Sequence, residues 1–257
     1  MLQINDHKIR RAFSASAKSY DRSSGLHQAI AGQLLIQVLK EPQPSVLLDV
    51  GCGTGYLTVK LKESFPRSKV IGLDFAPGML EAARPKHDGI EWVLADGSHL
   101  PFSDGHIDIL TSNLAYQWSG DLTKAFSEAR RVLRTGGVLI ATLFGYTTCQ
   151  ELFQSLDEAK SGMLHFTRLP DEAHVREALA ISGFKDIKLE LQRIKIEFRD
   201  MLALIAWLRT IGANQLSREG YIGPGTLSRA AVIYRERFPY LQGIGVTFEV
   251  IRLYGKK

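Results

Sequence analysis

The chain has few cysteines and no long apolar run. Its 257 residues include only Cys52 and Cys149, too few for a disulfide framework or a cysteine-based zinc site. No stretch approaches the ~20 consecutive apolar residues of a membrane-spanning helix, and residues 1–11 are polar and charged rather than a leader with an apolar centre. We therefore expect reduced thiols, a cytoplasmic location and no membrane association.

Histidines with the spacing of metal ligands are also missing. The seven histidines contain no H-x-x-x-H pattern, so the sequence predicts no metal site. Hydrophobic residues make up 45% of the chain and charged residues 23%, as in most globular proteins. A net charge of +5 favours acidic partners in general, but no RNA-binding signature accompanies it.

What the chain does have is a glycine-rich turn after an apolar segment. Residues 46–50 are apolar apart from Asp49, which predicts a central strand buried on both faces. Gly51, Gly53 and Gly55 follow, and glycine lets the backbone turn sharply and approach a ligand closely. The spacing G-x-G-x-G differs from the dinucleotide fingerprint G-x-G-x-x-G. These features predict a nucleotide-type cofactor site at the end of the strand.

Two more acidic residues follow predicted strands. The segment 69–73 leads to Asp74, and the segment 90–94 leads to Asp96. A carboxylate at a strand end can accept hydrogen bonds from both ribose hydroxyls. Together with the glycine turn, these acids resemble motifs of the class I S-adenosylmethionine (SAM) methyltransferases.

That resemblance implies SAM as the cofactor and a role for each acid. Asp49 would lie near the ammonium group of the cofactor. Asp74 would accept hydrogen bonds from its ribose hydroxyls, and Asp96 would contact its adenine amino group. The implied cofactor-binding residues are Asp49, Gly51, Cys52, Gly53, Gly55, Asp74, Phe75, Met79, Asp96, Gly97 and Asn113.

Strands alternate with helical patterns through the middle of the chain. The predicted strands lie near 46–50, 69–73, 90–94, 107–111 and 138–143, and the helical patterns at 55–64, 77–84 and 121–134. Such alternation indicates a parallel sheet with right-handed crossovers. The expected fold is α/β and Rossmann-like, of the class I SAM methyltransferase type. It would have a seven-stranded, mostly parallel sheet with helices on both faces, plus N-terminal helices and a helical lid. We expect Thr135-Gly136-Gly137 to stop the third of these helices and open the fifth strand.

The segments outside this alternation are expected to cover the ligands. We expect a single domain over 1–257, with an N-terminal helical segment at 1–41 over the cofactor. Insertions at 144–170 and 197–243 leave the sheet on the side where ligands bind, which predicts a lid over the methyl acceptor.

Short motifs spread over nearly the whole chain narrow the resemblance. They are Ile9-Arg10-Arg11-Ala12-Phe13-Ser14, Asn113-Leu114-Ala115-x-Gln117-Trp118, Ile211-Gly212-Ala213 and Val246-Thr247-Phe248-Glu249-Val250. They resemble the malonyl-acyl-carrier protein O-methyltransferases of biotin synthesis. Members of that family methylate the free carboxylate of a malonyl thioester, which gives a neutral methyl ester. The resemblance implies malonyl-acyl-carrier protein, or malonyl-coenzyme A, as the partner, a monomer, and no nucleic acid.

A carboxylate acceptor needs orientation rather than deprotonation, because it is already ionised at neutral pH. A guanidinium presents two parallel donors to a carboxylate, which makes Arg209 the first candidate, with Arg218 and Arg229 behind it. Tyr20 and the residues after the fourth strand are expected to position either substrate. The predicted catalytic residues are Arg209, Tyr20, Asn113 and Gln117.

Other functions stay open at this point. Quinone-ring C-methylases and aconitate-type carboxyl methylases share the same core. A non-catalytic SAM- or RNA-binding module has only the net charge of +5 in its favour. Amine-directed and cytosine-C5 enzymes are disfavoured, because the chain lacks Asn/Asp-Pro-Pro-Tyr/Phe after the fourth strand and has no Pro-Cys pair.

Overall fold

The computed structural model describes residues 6–162, 165–166, 169–213, 217–219 and 222–257. Its helices are α1 (Asp6–Ser23), α2 (Gly25–Val38), α3 (Tyr56–Ser64), α4 (Pro77–Ala83), α5 (Leu122–Val132), α6 (Gln150–Ala159), α7 (Glu172–Ile181), α8 (Met201–Thr210) and α9 (Pro224–Arg237). Its strands are β1 (Val46–Val50), β2 (Lys69–Asp74), β3 (Ile90–Leu94), β4 (Ile107–Asn113), β5 (Leu133–Phe144), β6 (His165–Phe166), β7 (Lys185–Phe198), β8 (Ser217–Glu219), β9 (Pro239–Tyr240) and β10 (Gly243–Lys256).

Seven strands form the main sheet in the described part of the chain, in the order β3-β2-β1-β4-β5-β10-β7. Strands β1 to β5 pair in parallel, whereas β10 runs antiparallel to both β5 and β7. The short β9 pairs with β10, and β6 pairs with β8 away from the sheet. The prediction of a mostly parallel α/β sheet is confirmed.

The apolar sequence of β1 is explained by helices on both faces of the sheet. Leu47 packs in a cluster with residues of α2 and α3, and Leu48 packs in a second cluster with residues of α5 and α7. Successive side chains of a strand point to opposite faces, so a central strand must be apolar at both. Each of these leucines is fully buried, which stabilises the fold by about 1.5–3 kcal/mol per side chain.

The junction between α5 and β5 differs from the expectation. Helix α5 begins after Asp121, whose carboxylate accepts the Lys124 backbone N–H at 3.0 Å, and it ends at Val132 rather than at 134. Strand β5 starts at Leu133, so the predicted helix stop Thr135-Gly136-Gly137 lies inside the strand. The reason is tertiary, because Leu133 is fully buried and pairs with β4.

The helices outside the alternating core pack against one another and against the sheet. Helix α1 contacts α4 and α8, and α6 packs against α9 and β10. The indole N–H of Trp207 in α8 donates to the carbonyl of Ser23 at the end of α1, at 2.8 Å. Among the residues that the structure describes, no helix combines the length and apolarity required to cross a bilayer.

Candidate active site

The glycine turn lies at the carboxyl end of β1 and is tied to β2. The backbone N–H groups of Gly51 and Cys52 donate to one carbonyl of β2 at 2.7 and 2.9 Å. Gly51, Gly53 and Gly55 have φ of +70°, +54° and +84°, a region that favours glycine. A Cβ on Gly51 would lie 2.1 Å from the Cβ of Ala115, whereas a Cβ on Gly53 would meet no atom within 4 Å. Packing therefore requires glycine at 51, and Gly53 faces open space.

Asp74, at the end of β2, stabilises that turn through hydrogen bonds. Its Oδ2 accepts the Gly53 N–H and its Oδ1 accepts the Ala76 N–H, both at 2.8 Å. The residue is 5% exposed, and burial raises its pKa to about 6. Each carboxylate oxygen has a second lone pair, so Asp74 can still accept hydrogen bonds from a ligand's hydroxyls.

Asp49 is the most deeply buried acid of the site. Thr58 and Thr111 donate their hydroxyls to its two oxygens at 2.6 and 3.1 Å. Burial raises the pKa of Asp49 to about 7, although the two hydroxyl donors lower it, and the charge of Asp74 raises it further. Burial therefore favours the protonated form of Asp49 at a much higher pH than for a carboxyl in water.

A first cavity opens at the carboxyl ends of β1, β2 and β4. It is walled by Phe13 of α1, which meets Trp118 edge-on with ring centroids 5.5 Å apart. Asp96 lies at its exposed side and accepts the Ser98 backbone N–H at 2.8 Å. A smaller cavity beside Asp49 extends it towards α2.

A second, mostly apolar cavity adjoins the first. Its walls come from α1, α2, β5, α8, β10 and the loops after β4 and β5, and they include Phe13, Leu114, Trp118, Phe144, Leu169, Trp207, Leu208, Ile211 and Phe248. Among its described lining residues none carries a charged side chain. Tyr20 lines both cavities and the small extension between them.

Comparison with known proteins fits this geometry. A family model described as a methyltransferase domain matches residues 48–141. The malonyl-acyl-carrier protein O-methyltransferase of Hahella chejuensis is 34% identical over 253 residues, covering 96% of this chain and 89% of the relative. That of Geobacter sulfurreducens is 32% identical over 267 residues, covering 99% and 100%. The chain belongs to the malonyl-acyl-carrier protein O-methyltransferase family.

Solved structures share the fold of this family member at lower identity. The YcgJ protein of Bacillus subtilis superposes with a TM-score of 0.65 at 18% identity, covering 88% of this chain and 97% of that one. Haemonchus contortus phosphoethanolamine N-methyltransferase 2, solved with S-adenosyl-L-methionine, gives a TM-score of 0.59 at 18% identity, covering 95% and 57%. The class I SAM methyltransferase fold is thereby confirmed.

Most of the predicted cofactor residues come together around the first cavity and its extension. The residues that line them are Asp49, Gly51, Cys52, Gly53, Asp74, Phe75, Met79, Asp96, Gly97 and Asn113. Gly55 does not line either space, because it precedes α3 and faces Trp92, whose ring a Cβ would approach to 2.6 Å. The acids with free lone pairs and the open space at Gly53 fit an adenosyl amino acid, and the individual contacts stay predictions.

The predicted catalytic residues differ in their surroundings. Asn113 donates its amide N–H to the carbonyl of His27 at 3.1 Å and accepts the Thr142 hydroxyl at 2.9 Å, so it ties β4 to α2 and β5. Gln117 lines the apolar cavity and donates to the carbonyl of Leu114 at 2.8 Å.

The predicted cations lie away from the apolar cavity. Arg209 is exposed at the end of α8 and does not line the cavity, although Trp207 and Leu208 do. Arg229 donates to the carbonyl of Ala159 and so joins α9 to α6. The side chain of Arg218 lies outside the described residues. The role of Arg209 at the acceptor stays a prediction.

His27 lines the site although no sequence motif indicated it. The sequence showed it only as a histidine without metal-ligand spacing, yet its ring lines both the extension beside Asp49 and the apolar cavity. The available signal was a lone titratable side chain among the apolar residues of α2.

Proposed function

We propose that this protein transfers the methyl group of SAM to the free carboxylate of a malonyl thioester on acyl-carrier protein, an early step of biotin synthesis. The observation that carries the proposal is the junction of two unlike cavities at Tyr20. One is bordered by acids at strand ends, and the other is apolar and has no charged lining residue among those described. The names of the relatives supply the acceptor.

The first cavity and its extension beside Asp49 would hold SAM through the three acids. Asp74 would accept the ribose hydroxyls, Asp96 would accept the adenine amino group, and Asp49 would face the ammonium of the amino acid end. An opposite charge within a few ångström favours the ionised carboxyl, so the ammonium would keep Asp49 charged. When bound, SAM supplies an electrophilic methyl group on a sulfonium centre.

The apolar cavity would hold the acceptor carboxylate for in-line attack. The protein needs no general base, because the acceptor is ionised at neutral pH. Alignment of the reacting atoms and exclusion of water are then the main sources of rate acceleration. The aromatic walls of Phe144, Trp207 and Phe248 serve the second purpose.

The N-terminal segment and the two insertions would act as the covers of these cavities within a single domain. Asp21 of α1 accepts a hydrogen bond from the Thr54 hydroxyl, with 2.5 Å between the oxygens, and forms an ion pair with Lys86, whose Nζ lies 2.6 Å from the carboxylate. These contacts hold α1 against the glycine turn. We propose that the protein acts as a monomer.

The experiment is a mass measurement of malonyl-carrier protein after incubation with the protein and SAM. We expect a gain of one methylene. Acetyl-carrier protein is the matched control, because it has the same thioester and no carboxylate. Equal transfer to both carriers, or transfer to neither, would refute the proposed acceptor.

A wider panel separates the remaining alternatives. Preferential methylation of a quinone precursor or of aconitate would place the protein with those methylases. Strong, salt-sensitive RNA binding without any methyl transfer would favour a binding module. A parallel assay with malonyl-coenzyme A shows which carrier of the malonyl group is preferred.

A further inference from the structure

The apolar cavity offers few proton donors to an anion. Thr148 donates its hydroxyl to the carbonyl of Glu249 at 3.1 Å, and the Gln117 amide already donates to Leu114. Of the other polar side chains on its lining, Tyr20 also borders the first cavity, and His27 borders the small extension beside Asp49. A buried carboxylate must find hydrogen-bond donors, and these two groups lie where the acceptor cavity meets the cofactor spaces.

The His27 ring is held by aromatic neighbours. Its centroid lies 5.9 Å from that of Tyr20, 5.7 Å from Phe144 and 6.2 Å from Trp207. The carbonyl of the same residue accepts the Asn113 amide, which fixes this part of α2 to the end of β4. The buried Nδ1 atom of the ring has no hydrogen-bond partner. A buried polar atom without a partner costs free energy, which a ligand can recover by bonding to it.

Both groups keep the protonation state of a neutral donor. Burial lowers the pKa of His27 to about 4, so the imidazole is uncharged at neutral pH and carries one N–H. Burial, and then the charges of Asp74 and Asp21, raise the pKa of Tyr20, so its hydroxyl keeps the proton. A neutral donor orients a carboxylate while leaving it more nucleophilic than a full ion pair would.

We infer that the His27 imidazole, beside the Tyr20 hydroxyl, receives the malonyl carboxylate through a hydrogen bond and holds it at the junction of the two cavities. The inference rests on the proposed function and deepens it, since it replaces a cation by neutral donors as the group that selects a carboxylate. It assigns His27 a contact with the substrate, and the proposed roles of Asp49, Asp74 and Asp96 in SAM binding stay the same.

The test compares His27→Leu, which removes the donor, with His27→Gln, which keeps a neutral N–H donor. With malonyl-carrier protein, kcat/KM of His27→Leu is expected to fall about 10- to 150-fold, as for loss of a hydrogen bond to a charged group. His27→Gln should retain most of the activity. SAM affinity, measured by calorimetry, should fall far less than kcat/KM in both variants, because His27 only borders the extension of the cofactor cavity. Retained SAM binding also reports that the variants fold. His174→Leu, at an exposed position on α7, is the matched control and should behave as wild type.

A second measurement does not depend on turnover. With histidine labelled by 15N and S-adenosylhomocysteine present, malonyl-carrier protein should shift the ring resonances of His27, and acetyl-carrier protein should not. Wild-type kcat/KM in His27→Leu, or an equal loss of SAM affinity, would overturn the role of His27 alone. Failure of the wild-type protein to methylate malonyl-carrier protein would overturn the proposed function and this inference with it.

Discussion

The buried carboxyl of Asp49 should make the ligand-free protein less stable as the pH rises. Its pKa is about 7 in the folded protein, against a usual value of 3.8. The folded state therefore binds a proton that the unfolded chain has lost between these two values. The stability that accompanies the neutral carboxyl is complete at low pH and is lost as the pH rises towards 7.

Substitution Asp49→Asn removes this loss and keeps the local hydrogen bonds. The hydroxyls of Thr58 and Thr111 can each donate to an amide oxygen or accept an amide N–H. From pH 5 to pH 8, the free energy of unfolding of the variant relative to wild type should grow by about 2–3 kcal/mol in favour of the variant.

Urea unfolding at the two pH values measures this difference. Asp200→Asn is the matched control, because Asp200 caps α8 and its pKa is lowered by the Ala203 N–H and by Arg199. Both of its pKa values lie below the tested range, so the effect of that substitution should be the same at pH 5 and pH 8. An equally constant effect of Asp49→Asn would refute the reasoning.

Further predictions concern proton release on cofactor binding, the glycine turn and Arg209. Binding of SAM at pH 7 should release a fraction of a proton per site, because an ammonium beside Asp49 favours the ionised form of its carboxyl. Calorimetry in buffers of different ionisation enthalpy measures this release, and binding heats that do not depend on the buffer would contradict it. Gly53→Ala should lower the free energy of unfolding by about 1–2 kcal/mol, because residue 53 has a positive φ. Gly51→Ala should lower it by about 2–5 kcal/mol, because the new methyl group also overlaps Ala115. Equal losses for the two variants in urea unfolding would argue against that overlap. If Arg209 orients the acceptor, Arg209→Ala should raise KM for malonyl-carrier protein about 10-fold or more and leave SAM affinity unchanged. An unchanged KM would show that the exposed guanidinium does not contact the carboxylate.

The cofactor end of the site follows closely from local sequence. Residues 46–50 and 69–73 are mostly apolar, which predicts buried strands, and their carboxyl ends meet at one edge because the two strands are parallel. The glycine turn and Asp74 are therefore neighbours for reasons that the sequence contains. The Gly53 N–H hydrogen bond to Asp74 is the contact that results.

The junction of α5 and β5 was misplaced because local and distant signals compete there. A threonine and two glycines after a helical pattern favour a helix end. The buried pairing of Leu133 with β4 instead starts the strand before them. Leu133 pairs with Ile107, some 26 residues earlier in the chain. The sequence around Leu133 gives no sign of the stability that this distant contact adds.

Tertiary structure decided which side chains line the apolar cavity. The sequence determined the α/β fold, the glycine turn and the acids at the strand ends, because period and strand direction fix these. Only the packing of α1, α2 and α8 against each other brought His27 beside Tyr20 and left Arg209 in solvent. Which face of a helix meets a cavity depends on contacts between segments far apart in the chain, and residue type alone does not encode them.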